Sequence, residues 1–484
     1  MFIKFFLVKK AVQDNFWIGW FYIFLIFMVN YKKMNKEIIM SNIFLNFQNI
    51  IGKIKPMHAV NNGPVSASSV EQSRGNFETF KAAKIPYARN HDASFFAEYG
   101  GEHTVDVHAI FPDFTKNPYD ERSYDFTLTD EYTQTIVNAG TEVFYRFGSK
   151  IEHWTKKYGT IVPADFHKWA VICEHIIRHY TEGWANGFHH KIEYWEIWNE
   201  PDGIKADGTQ PNWSGTPLEF YELYTEAATH LKKRFPHLKI GGPAVSWLQR
   251  DDGKWTKDFL AYLTADGKRV PLDFFSWHGY TNNSYDLAEV EKFARQLLNE
   301  YGYTETESIL NEYNYIEDWT TGFVASIESI IGMHGAAFTS SCMALLQAST
   351  LDMLMYYDAR PDTVFNGMFD FYTMRPLKGY YPFVMFSELY ELGNSVECSS
   401  DDKNIMVVAA ENDGKCAIML THYYQNKNNK TEKEVTLHID GVSDGDWQAE
   451  FLDENRTMEK QTVSVKNGEL TIVMPNDCVV LLTK

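Results

Sequence analysis

Two stretches of the sequence decide the fold: Tyr194-Trp-Glu-Ile-Trp-Asn-Glu-Pro201 and Ser308-Ile-Leu-Asn-Glu-Tyr-Asn314. Each is a short apolar and aromatic run, typical of a buried β-strand, and each ends where the chain turns into a loop. A glutamate stands at the end of each run, Glu200 in the first and Glu312 in the second. The two stretches therefore predict two core strands that carry carboxylates at their ends.

Paired carboxylates at strand ends suit the hydrolysis of a glycosidic bond. One carboxyl group must be protonated, so that it can act as an acid at the leaving oxygen. The other must be ionised, so that it can act as nucleophile or base at the anomeric carbon. Glu200 and Glu312 therefore predict a glycoside hydrolase.

Six more runs follow the same pattern, which gives eight strand candidates: residues 54–60, 86–91, 142–147, 194–199, 239–243, 274–278, 308–312 and 353–358. Amphipathic stretches that suit helices lie between them, as at 165–180, 218–234, 287–301 and 322–348. This alternation is typical of α/β proteins with a parallel sheet. Eight such units, when closed, form a (β/α)8 TIM barrel with its active site at the C-terminal ends of the strands. We assign residues 51–394 to this barrel.

Two details of the barrel stay open at this point. Residues 105–111 could form an additional strand or hairpin, which affects the numbering of the second and third units. An open doubly wound sheet is the alternative fold, and it is less favoured because no Gly-x-Gly-x-x-Gly turn follows any strand.

The last part of the chain has a different pattern. Apolar and polar residues alternate in short runs at 405–410, 416–422, 434–439, 448–452, 469–473 and 479–482. Turn-forming pieces such as Asn412-Asp413-Gly414 separate these runs. Residues 395–484 therefore predict an all-β sandwich.

Composition excludes some classes of function. The net charge of −19 argues against a nucleic-acid partner, which needs a basic surface. The five cysteines are scattered without a Cys-x-x-Cys pair, which excludes a disulfide framework and favours a reducing compartment such as the cytoplasm. No metal-ligand or cofactor motif is present, so we expect neither a metal nor a cofactor.

Residues 1–50 are expected to stand outside the fold. An unbroken apolar run at 16–29 is short for a membrane span, and no small-residue cleavage site follows it. Three interpretations remain: a membrane anchor, an uncleaved export signal, or a start assigned too far upstream, with Met34 or Met40 as the true beginning. We favour the last interpretation and assign no membrane partner.

Three motifs together resemble glycoside hydrolase family 39, the family of β-xylosidases and α-L-iduronidases. They are Trp198-Asn-Glu-Pro201, Ala88-Arg-Asn-His-Asp92 and Trp277-His-Gly-Tyr280. The resemblance covers most of the chain and implies a retaining mechanism on a carbohydrate substrate, without a cofactor. It implies Glu200 as the general acid/base and Glu312 as the nucleophile.

Several further residues are candidate sugar contacts. Asn199 precedes the acid/base and is expected to donate to the 2-hydroxyl of the sugar. His278 and Tyr280 stand two apart at the end of the sixth strand, so that both can face one side. The resemblance places them beside the nucleophile, where a histidine would help to keep Glu312 ionised.

The early strands supply the remaining candidates. Arg89 and His91 share one face of the second strand, and Arg89 is placed to pair with a buried carboxylate. His58 could bind a hydroxyl of the innermost sugar. Asp92 and Asp358 are acids at strand ends that could bind further hydroxyls or cap loops.

The sequence departs from the β-xylosidase pattern in two places. Leu310 and Asn311 precede the nucleophile in place of the expected threonine, and residues 356–361 lack a tryptophan platform. Both differences concern the sugar-contacting region and leave the hydrolytic chemistry intact. Related exo-glycosidases that act on arabinose-, galactose- or uronic-acid-containing glycans are therefore alternatives.

Three functions of other classes are alternatives to a glycoside hydrolase. A metal-dependent hydrolase would need His58, His91, His108 and His278 to gather. A non-catalytic carbohydrate-binding protein would have no use for a paired acid and nucleophile. An enzyme that transfers the glycosyl group to a sugar acceptor, instead of to water, stays open.

Overall fold

The computed structural model describes residues 39–65, 75–92, 103–152, 155–205, 208–429 and 431–484. These residues form a closed barrel of eight strands and a separate nine-stranded sheet. The predicted (β/α)8 barrel followed by a β-rich domain is therefore confirmed.

The barrel strands follow one another in chain order and are all parallel, and the last strand pairs with the first. They are β2 (Ala59–Asn61), β3 (Tyr87–Arg89), β4 (Glu142–Phe147), β5 (Tyr194–Ile197), β6 (Lys239–Val245), β7 (Phe274–Thr281), β8 (Glu307–Tyr315) and β9 (Met353–Tyr356). Their apolar character follows from burial on both faces, since helices cover the outside of a parallel barrel. Inside the barrel, Phe144, Tyr194, Phe274 and Met355 pack together among other buried side chains.

The α-helices in the described part of the chain are Phe77–Ala82, Val107–Ile110, Thr127–Asn138, Phe166–Glu182, Pro217–Arg234, Lys254–Thr264, Ser284–Glu300, Phe323–Ile330, Met333–Gln347 and Tyr381–Leu392. The prediction of a strand or hairpin at 105–111 is wrong, because a short helix forms there. The single helix predicted at 322–348 is broken at Ile331 and Gly332, and its two halves meet at a bend of 78°.

Local signals explain where the longer helices start and stop. Thr216 and Glu219 form a capping box at the start of the helix Pro217–Arg234, so two backbone donors are satisfied there. The helix Phe166–Glu182 starts at Asp165, whose side chain accepts from the Lys168 amide, and it ends at Gly183. Gly183 has a φ of +76°, a conformation that glycine adopts without steric cost.

No single helix among the described residues has the length and apolar composition of a membrane span. The bent pair Phe323–Ile330 and Met333–Gln347 passes that test only when its two halves are taken together.

The strands of the second sheet are β1 (Ile39–Lys53), β10 (Asn394–Ser400), β11 (Ile405–Asn412), β12 (Lys415–His422), β13 (Lys433–Asp440), β14 (Gly445–Leu452), β15 (Thr457–Val465), β16 (Glu469–Met474) and β17 (Cys478–Thr483). Their order across the sheet is β15-β14-β17-β12-β11-β10-β1-β13-β16. Phe47 of β1 packs against Trp447 of β14, with 6.3 Å between ring centroids, although four strands separate them in the sheet order. The sheet therefore folds over on itself around a common core.

The expectation that residues 1–50 stand outside the fold is wrong for residues 39–50. Strand β1 lies inside the sheet, parallel to β13 and antiparallel to β10. Ile43, Leu45 and Phe47 point into the core, whereas Phe44 is half exposed and stacks on His438. The apolar Phe44 on the outer face hid the alternation in the sequence. Residues 1–38, with the apolar run at 16–29, lie outside the described residues.

Strands β10 and β15 were also absent from the sequence prediction. In the described part of the chain β15 pairs only with β14, at an edge of the sheet, and most of its residues are exposed. Such a strand has little apolar surface to bury, so its sequence carries no strong strand pattern.

The sheet packs against the side of the barrel formed by its last helices. Ser340 hydrogen-bonds Thr421 at 2.5 Å, and the Lys378 ammonium donates to the carbonyl oxygen of Asp453 at 2.6 Å. The Tyr423 hydroxyl donates to the carbonyl oxygen of Asn282, which directly follows β7. The sheet therefore extends along the barrel to the end where the strands terminate.

Candidate active site

A cavity of about 880 Å³ opens at the C-terminal ends of the barrel strands. Its walls contain Glu200 and Glu312, which follow β5 and lie within β8, respectively. The two glutamates that the sequence singled out therefore meet in one cavity.

Glu200 is held by an unusual backbone. Trp198 and Glu200 have φ values of +76° and +48°, conformations that are costly for residues with a side chain. The Trp198 amide donates to the carbonyl oxygen of Phe147, and the Glu200 amide donates to that of Ala244. These bonds to the two neighbouring strands hold the turn, so that the Glu200 side chain enters the cavity.

The Glu200 carboxyl group has two partners. Asn212 Nδ2 donates to its Oε2 at 2.8 Å, and His278 Nδ1 lies 2.8 Å from its Oε1. Burial raises the pKa of Glu200 to about 7, against the opposing effects of Asn212, Arg89 and Arg250. A carboxyl group with this pKa can hold a proton near neutral pH and also release it.

The Glu312 carboxyl group has stronger donors. Arg89 Nη1 donates to its Oε1 at 2.8 Å, and the Tyr280 hydroxyl donates to its Oε2 at 2.8 Å. His278 Nδ1 is 3.4 Å from Oε2, and His91 Nε2 is 3.5 Å from Oε1. Burial raises the pKa of Glu312, while His278, Arg89 and Tyr280 act to lower it.

The two carboxyl groups lie close together. One oxygen of Glu200, one oxygen of Glu312 and a ring nitrogen of His278 all lie within 4.8 Å of one another. Retaining glycosidases have carboxyl groups about 5–5.5 Å apart, whereas inverting enzymes leave about 6.5–9.5 Å for a water molecule. The separation therefore favours attack by one carboxylate itself.

Arg89 is the centre of a buried hydrogen-bond network. Besides Glu312, its guanidinium donates to Glu196 Oε2 at 2.6 Å, to Asn199 Oδ1 at 2.7 Å and to Asn61 Oδ1 at 3.1 Å. Arg89 is fully buried, so these acceptors balance its charge. The predicted pairing of Arg89 with a buried carboxylate is seen twice, with Glu196 and with Glu312.

Glu196 was missed in the sequence. It is fully buried, and its Oε1 accepts from Ser276 and from Asn311, each at 2.6 Å. The signal that could have found it is a charged residue in the middle of a core strand, since such a charge needs a buried partner. Asn311, which departs from the β-xylosidase pattern, is one of the residues that hold Glu196 in place.

Asn199 lines the cavity beside Glu200, as predicted. Its side-chain oxygen Oδ1 accepts from Arg89, which fixes the orientation of the side-chain amide. The NH2 group is therefore the part of the amide that can donate to a ligand. Tyr280 lies beside Glu312, again as predicted.

His278 has a different closest partner from the predicted one. It was expected beside the nucleophile, but its Nδ1 is closer to Glu200 (2.8 Å) than to Glu312 (3.4 Å). Burial lowers the pKa of His278, which favours the neutral imidazole. His91 also lines the cavity, and burial lowers its pKa to about 3.

Asp92 and Asp358 lie behind the cavity wall. Both contact Arg360 Nη2, at 3.2 Å and 3.1 Å, and both are fully buried. Although burial acts to raise it, Arg360, His91 and Lys150 hold the pKa of Asp92 well below its usual value. The structure gives these acids the role of holding Arg360, which itself lines the cavity.

His58 lies at the other end of the barrel. It precedes β2, so it is on the N-terminal side of the strands, where its ring packs 5.2 Å from Phe386 and 5.0 Å from Tyr390. Burial lowers its pKa to about 3. The prediction that His58 contacts sugar is wrong, because β2 starts one residue after it and not four residues before.

The cavity also contains residues that the sequence prediction did not single out. Trp247 and Trp319 are 61% and 54% exposed on the loops that follow β6 and β8, respectively. Lys150, Arg250 and Arg360 add three cations to the wall. They follow barrel strands at irregular distances, so only their position at the C-terminal face could have indicated a role.

Two groups of side chains in the described residues have the spacing of metal ligands. The first is Glu200, His278 and Glu312, whose carboxylates already accept hydrogen bonds from protein donors. The second is His103, Asp106 and His108, where Arg146 and the Lys150 amide occupy the Asp106 carboxylate. Both arrangements favour hydrogen-bonded carboxylates over a ligand cage.

The family model for glycosyl hydrolases family 39 matches residues 94–457. The chain belongs to this family. A β-xylosidase from Geobacillus stearothermophilus is 23% identical over 360 residues, which cover 65% of this chain and 65% of the relative. The chain therefore spans just under two thirds of the length of that curated relative.

Solved structures show the same fold. A glucosidase from Croceicoccus marinus matches with a TM-score of 0.76 and 20% identity, over 92% of this chain and 98% of that one. A monomeric β-xylosidase from Caulobacter crescentus matches with a TM-score of 0.65 and 14% identity, over 91% and 99%. The arrangement of barrel and sheet is thus shared with enzymes of low sequence identity.

Proposed function

We propose that this family 39 protein hydrolyses glycosides with retention of configuration, with Glu312 as nucleophile and Glu200 as acid/base. The observation that carries the proposal is the close approach of the two carboxyl groups, with oxygens within 4.8 Å of each other.

Two displacements follow from this geometry. In the first, a Glu312 oxygen bonds to the anomeric carbon while the bond to the leaving oxygen breaks, and Glu200 gives its proton to that oxygen. In the second, water attacks the same carbon, ionised Glu200 takes the water proton, and the bond to Glu312 breaks. Both residues return to their starting protonation states.

The neighbours of each glutamate support these roles. Glu312 accepts from a guanidinium and a phenol, donors that stabilise a carboxylate. Glu200 has the Asn212 amide and the His278 imidazole as partners, and its pKa is about 7. A pair that shares one proton therefore keeps it on Glu200.

Asn199 is the residue that donates a hydrogen bond to the 2-hydroxyl of the sugar. Arg89 fixes its amide, so its NH2 group can form a hydrogen bond that strengthens as positive charge develops at the anomeric carbon. Asn199 directly precedes Glu200 and shares the Arg89 guanidinium with Glu312, so it can contact the sugar bound to Glu312.

A β-xyloside is the proposed substrate. The curated relative named as a β-xylosidase supports it, and an α-L-arabinofuranosidase from Thermotoga maritima with a TM-score of 0.64 makes arabinosides the second candidate. The cavity wall at Tyr357 and Arg360 has no tryptophan platform of the kind expected of β-xylosidases, so related sugars belong in the test.

The test is a panel of aryl glycosides: xyloside, arabinofuranoside, arabinopyranoside, galactoside and iduronide. We expect turnover of the xyloside or an arabinoside, and a first-formed sugar with the configuration of the substrate by NMR. A first product of inverted configuration, or no turnover of any member, would overturn the proposal.

A further inference from the structure

Trp247 and Arg250 form an aromatic and cationic corner of the cavity, on the loop after β6. Trp247 is 61% exposed, and the Arg250 guanidinium lies 5.2 Å from the centroid of its ring. Both side chains line the cavity that contains the two glutamates. An exposed indole face beside a guanidinium can stack a sugar ring and bind a charged substituent on that ring.

Asp202 connects the loop of Trp247 and Arg250 to the segment that carries Glu200. Its carboxylate accepts from the Ser246 amide at 2.8 Å and the Trp247 amide at 3.3 Å, and its carbonyl oxygen accepts from Arg250 Nη1 at 3.0 Å. Asp202 is buried and stands two residues after Glu200. The loop of Trp247 and Arg250 is therefore fixed relative to Glu200.

The corner lies on the leaving-group side of the site. Glu200 protonates the leaving oxygen, so the leaving sugar must lie next to it. Arg250 is close enough for its charge to act on the Glu200 carboxyl group. A sugar that stacks on Trp247 is therefore the one that departs in the first step.

The charges around the cavity select the type of sugar. Among the described residues Lys150, Arg250 and Arg360 line it, against Asp286 as the single acid besides the two glutamates, in a protein with a net charge of −19. Lys150 and Arg360 both contact buried Asp92, and Arg360 also contacts Asp358. In the described structure Arg250 has a neutral carbonyl as its hydrogen-bond partner, so its charge is available to a ligand.

We propose that Trp247 and Arg250 form a leaving-group subsite for a sugar that carries an anionic substituent, a carboxylate or a sulfate ester. The proposal rests on the proposed glycosidase function and extends it to the second sugar of the substrate. A guanidinium binds either anion through two parallel hydrogen bonds, which a lysine cannot reproduce.

The experiment compares disaccharides with the same glycone and linkage, whose leaving sugar is a neutral hexose, the corresponding uronic acid, or the hexose sulfate. The glycosyl fluoride of the same glycone serves as a substrate without a leaving sugar. We expect the wild type to prefer one of the acidic disaccharides, and Arg250→Gln to lose about ten- to a hundredfold in kcat/KM on it, as for loss of a charge-assisted hydrogen bond. The loss on the neutral disaccharide should stay below about threefold.

Trp247→Ala should lower kcat/KM on all three disaccharides by a larger factor than on the fluoride, because fluoride does not reach the subsite. Lys254→Gln is the matched control: it removes a cation four residues further along, which is exposed and pairs with Asp258. It should change none of the four rates. Arg250→Lys should restore less than half of the acidic preference, since lysine binds as a point charge.

The outcomes separate the two proposals. No turnover of the fluoride by the wild type would remove the glycosidase function itself. Turnover of the fluoride without an acidic preference, or an equal loss on the neutral and acidic disaccharides in Arg250→Gln, would remove the anionic subsite alone. The uronic acid and sulfate arms decide which anion is bound.

Discussion

The two sides of the cavity hold the same residue type in different surroundings. On the side of β8, Glu312 accepts from Arg89 and Tyr280 and is 7% exposed at its side chain. On the side of β5, Glu200 has Asn212 and His278 as partners and is 21% exposed. Burial raises the pKa of both carboxyl groups, and at Glu312 the Arg89 guanidinium and the Tyr280 hydroxyl act against that rise, so the proposed place of a shared proton is Glu200.

The largest expected effect comes from removing Glu312, the proposed nucleophile. Glu312→Ala should reduce turnover of every substrate by at least about 10⁴-fold, because no glycosyl-enzyme can form. Steady-state rates on the best aryl glycoside measure it. Glu307→Ala, at the other end of β8, is the matched control and should keep near wild-type turnover. Retention of a tenth of the activity in Glu312→Ala would exclude it as nucleophile.

Removal of the acid/base should depend on the leaving group. Glu200→Ala should lose about 10²- to 10⁴-fold on glycosides with poor leaving groups, and much less in the first step on those with very acidic ones, which need no proton. Azide, which needs no base, should restore turnover and give a glycosyl azide of retained configuration. An inverted glycosyl azide from this variant would identify Glu200 as the nucleophile, and the roles proposed for Glu200 and Glu312 would then be reversed.

Loss of the buried Arg89 guanidinium should lower the free energy of unfolding more than loss of the Tyr280 hydroxyl. Arg89→Met leaves Glu196 and Glu312 without their buried counter-charge, so we expect a loss of about 3–5 kcal/mol in the free energy of unfolding. Urea denaturation at pH 7 measures it. Tyr280→Phe removes a neutral donor from Glu312 and should cost about 1–3 kcal/mol. A smaller loss in Arg89→Met than in Tyr280→Phe would contradict the assignment of the network to Arg89.

The pH profile tests the side of Glu200. With a pKa of about 7, Glu200 loses its proton as the pH rises through neutrality, so kcat/KM should fall on the basic side with an apparent pKa of about 7. The Asn212 amide lowers that pKa, so Asn212→Ala should move the basic limb to higher pH. Asn299→Ala, on an exposed helix position, is the control and should not move it. A basic limb that moves to lower pH in Asn212→Ala would contradict the interpretation.

The smallest effect on kcat and KM is expected for His58, which lies outside the cavity of Glu200 and Glu312. His58→Phe should leave kcat and KM within about twofold of the wild type, since surface and core positions away from the site act on stability and not on turnover. Its ring lies against Phe386 and Tyr390 at the N-terminal end of the barrel. A tenfold change in KM would restore His58 as a sugar contact.

Several residues of the candidate active site could be predicted from the sequence by itself. Glu200, Glu312 and Asn199 could be found because each ends or follows an apolar core run, and the C-terminal ends of barrel strands meet at one face. Arg89 and Tyr280 could be found from their spacing of two within a strand motif, which puts both members of a pair on one side. These patterns depend only on residues that are close in the chain, so they can be recognised in the sequence.

Only the tertiary structure decided the rest. It placed His58 at the far end, put Asp92 and Asp358 behind Arg360, and made β1 an interior strand of the second sheet. The physical reason is that these features depend on where a strand begins, which buried charge finds which partner, and which strand lies beside which. Asp202, two residues after Glu200, binds Trp247 and Arg250, which follow the neighbouring strand more than forty residues further along the chain. Contacts between residues so far apart leave no periodic trace in the sequence, because only the folded chain brings them together.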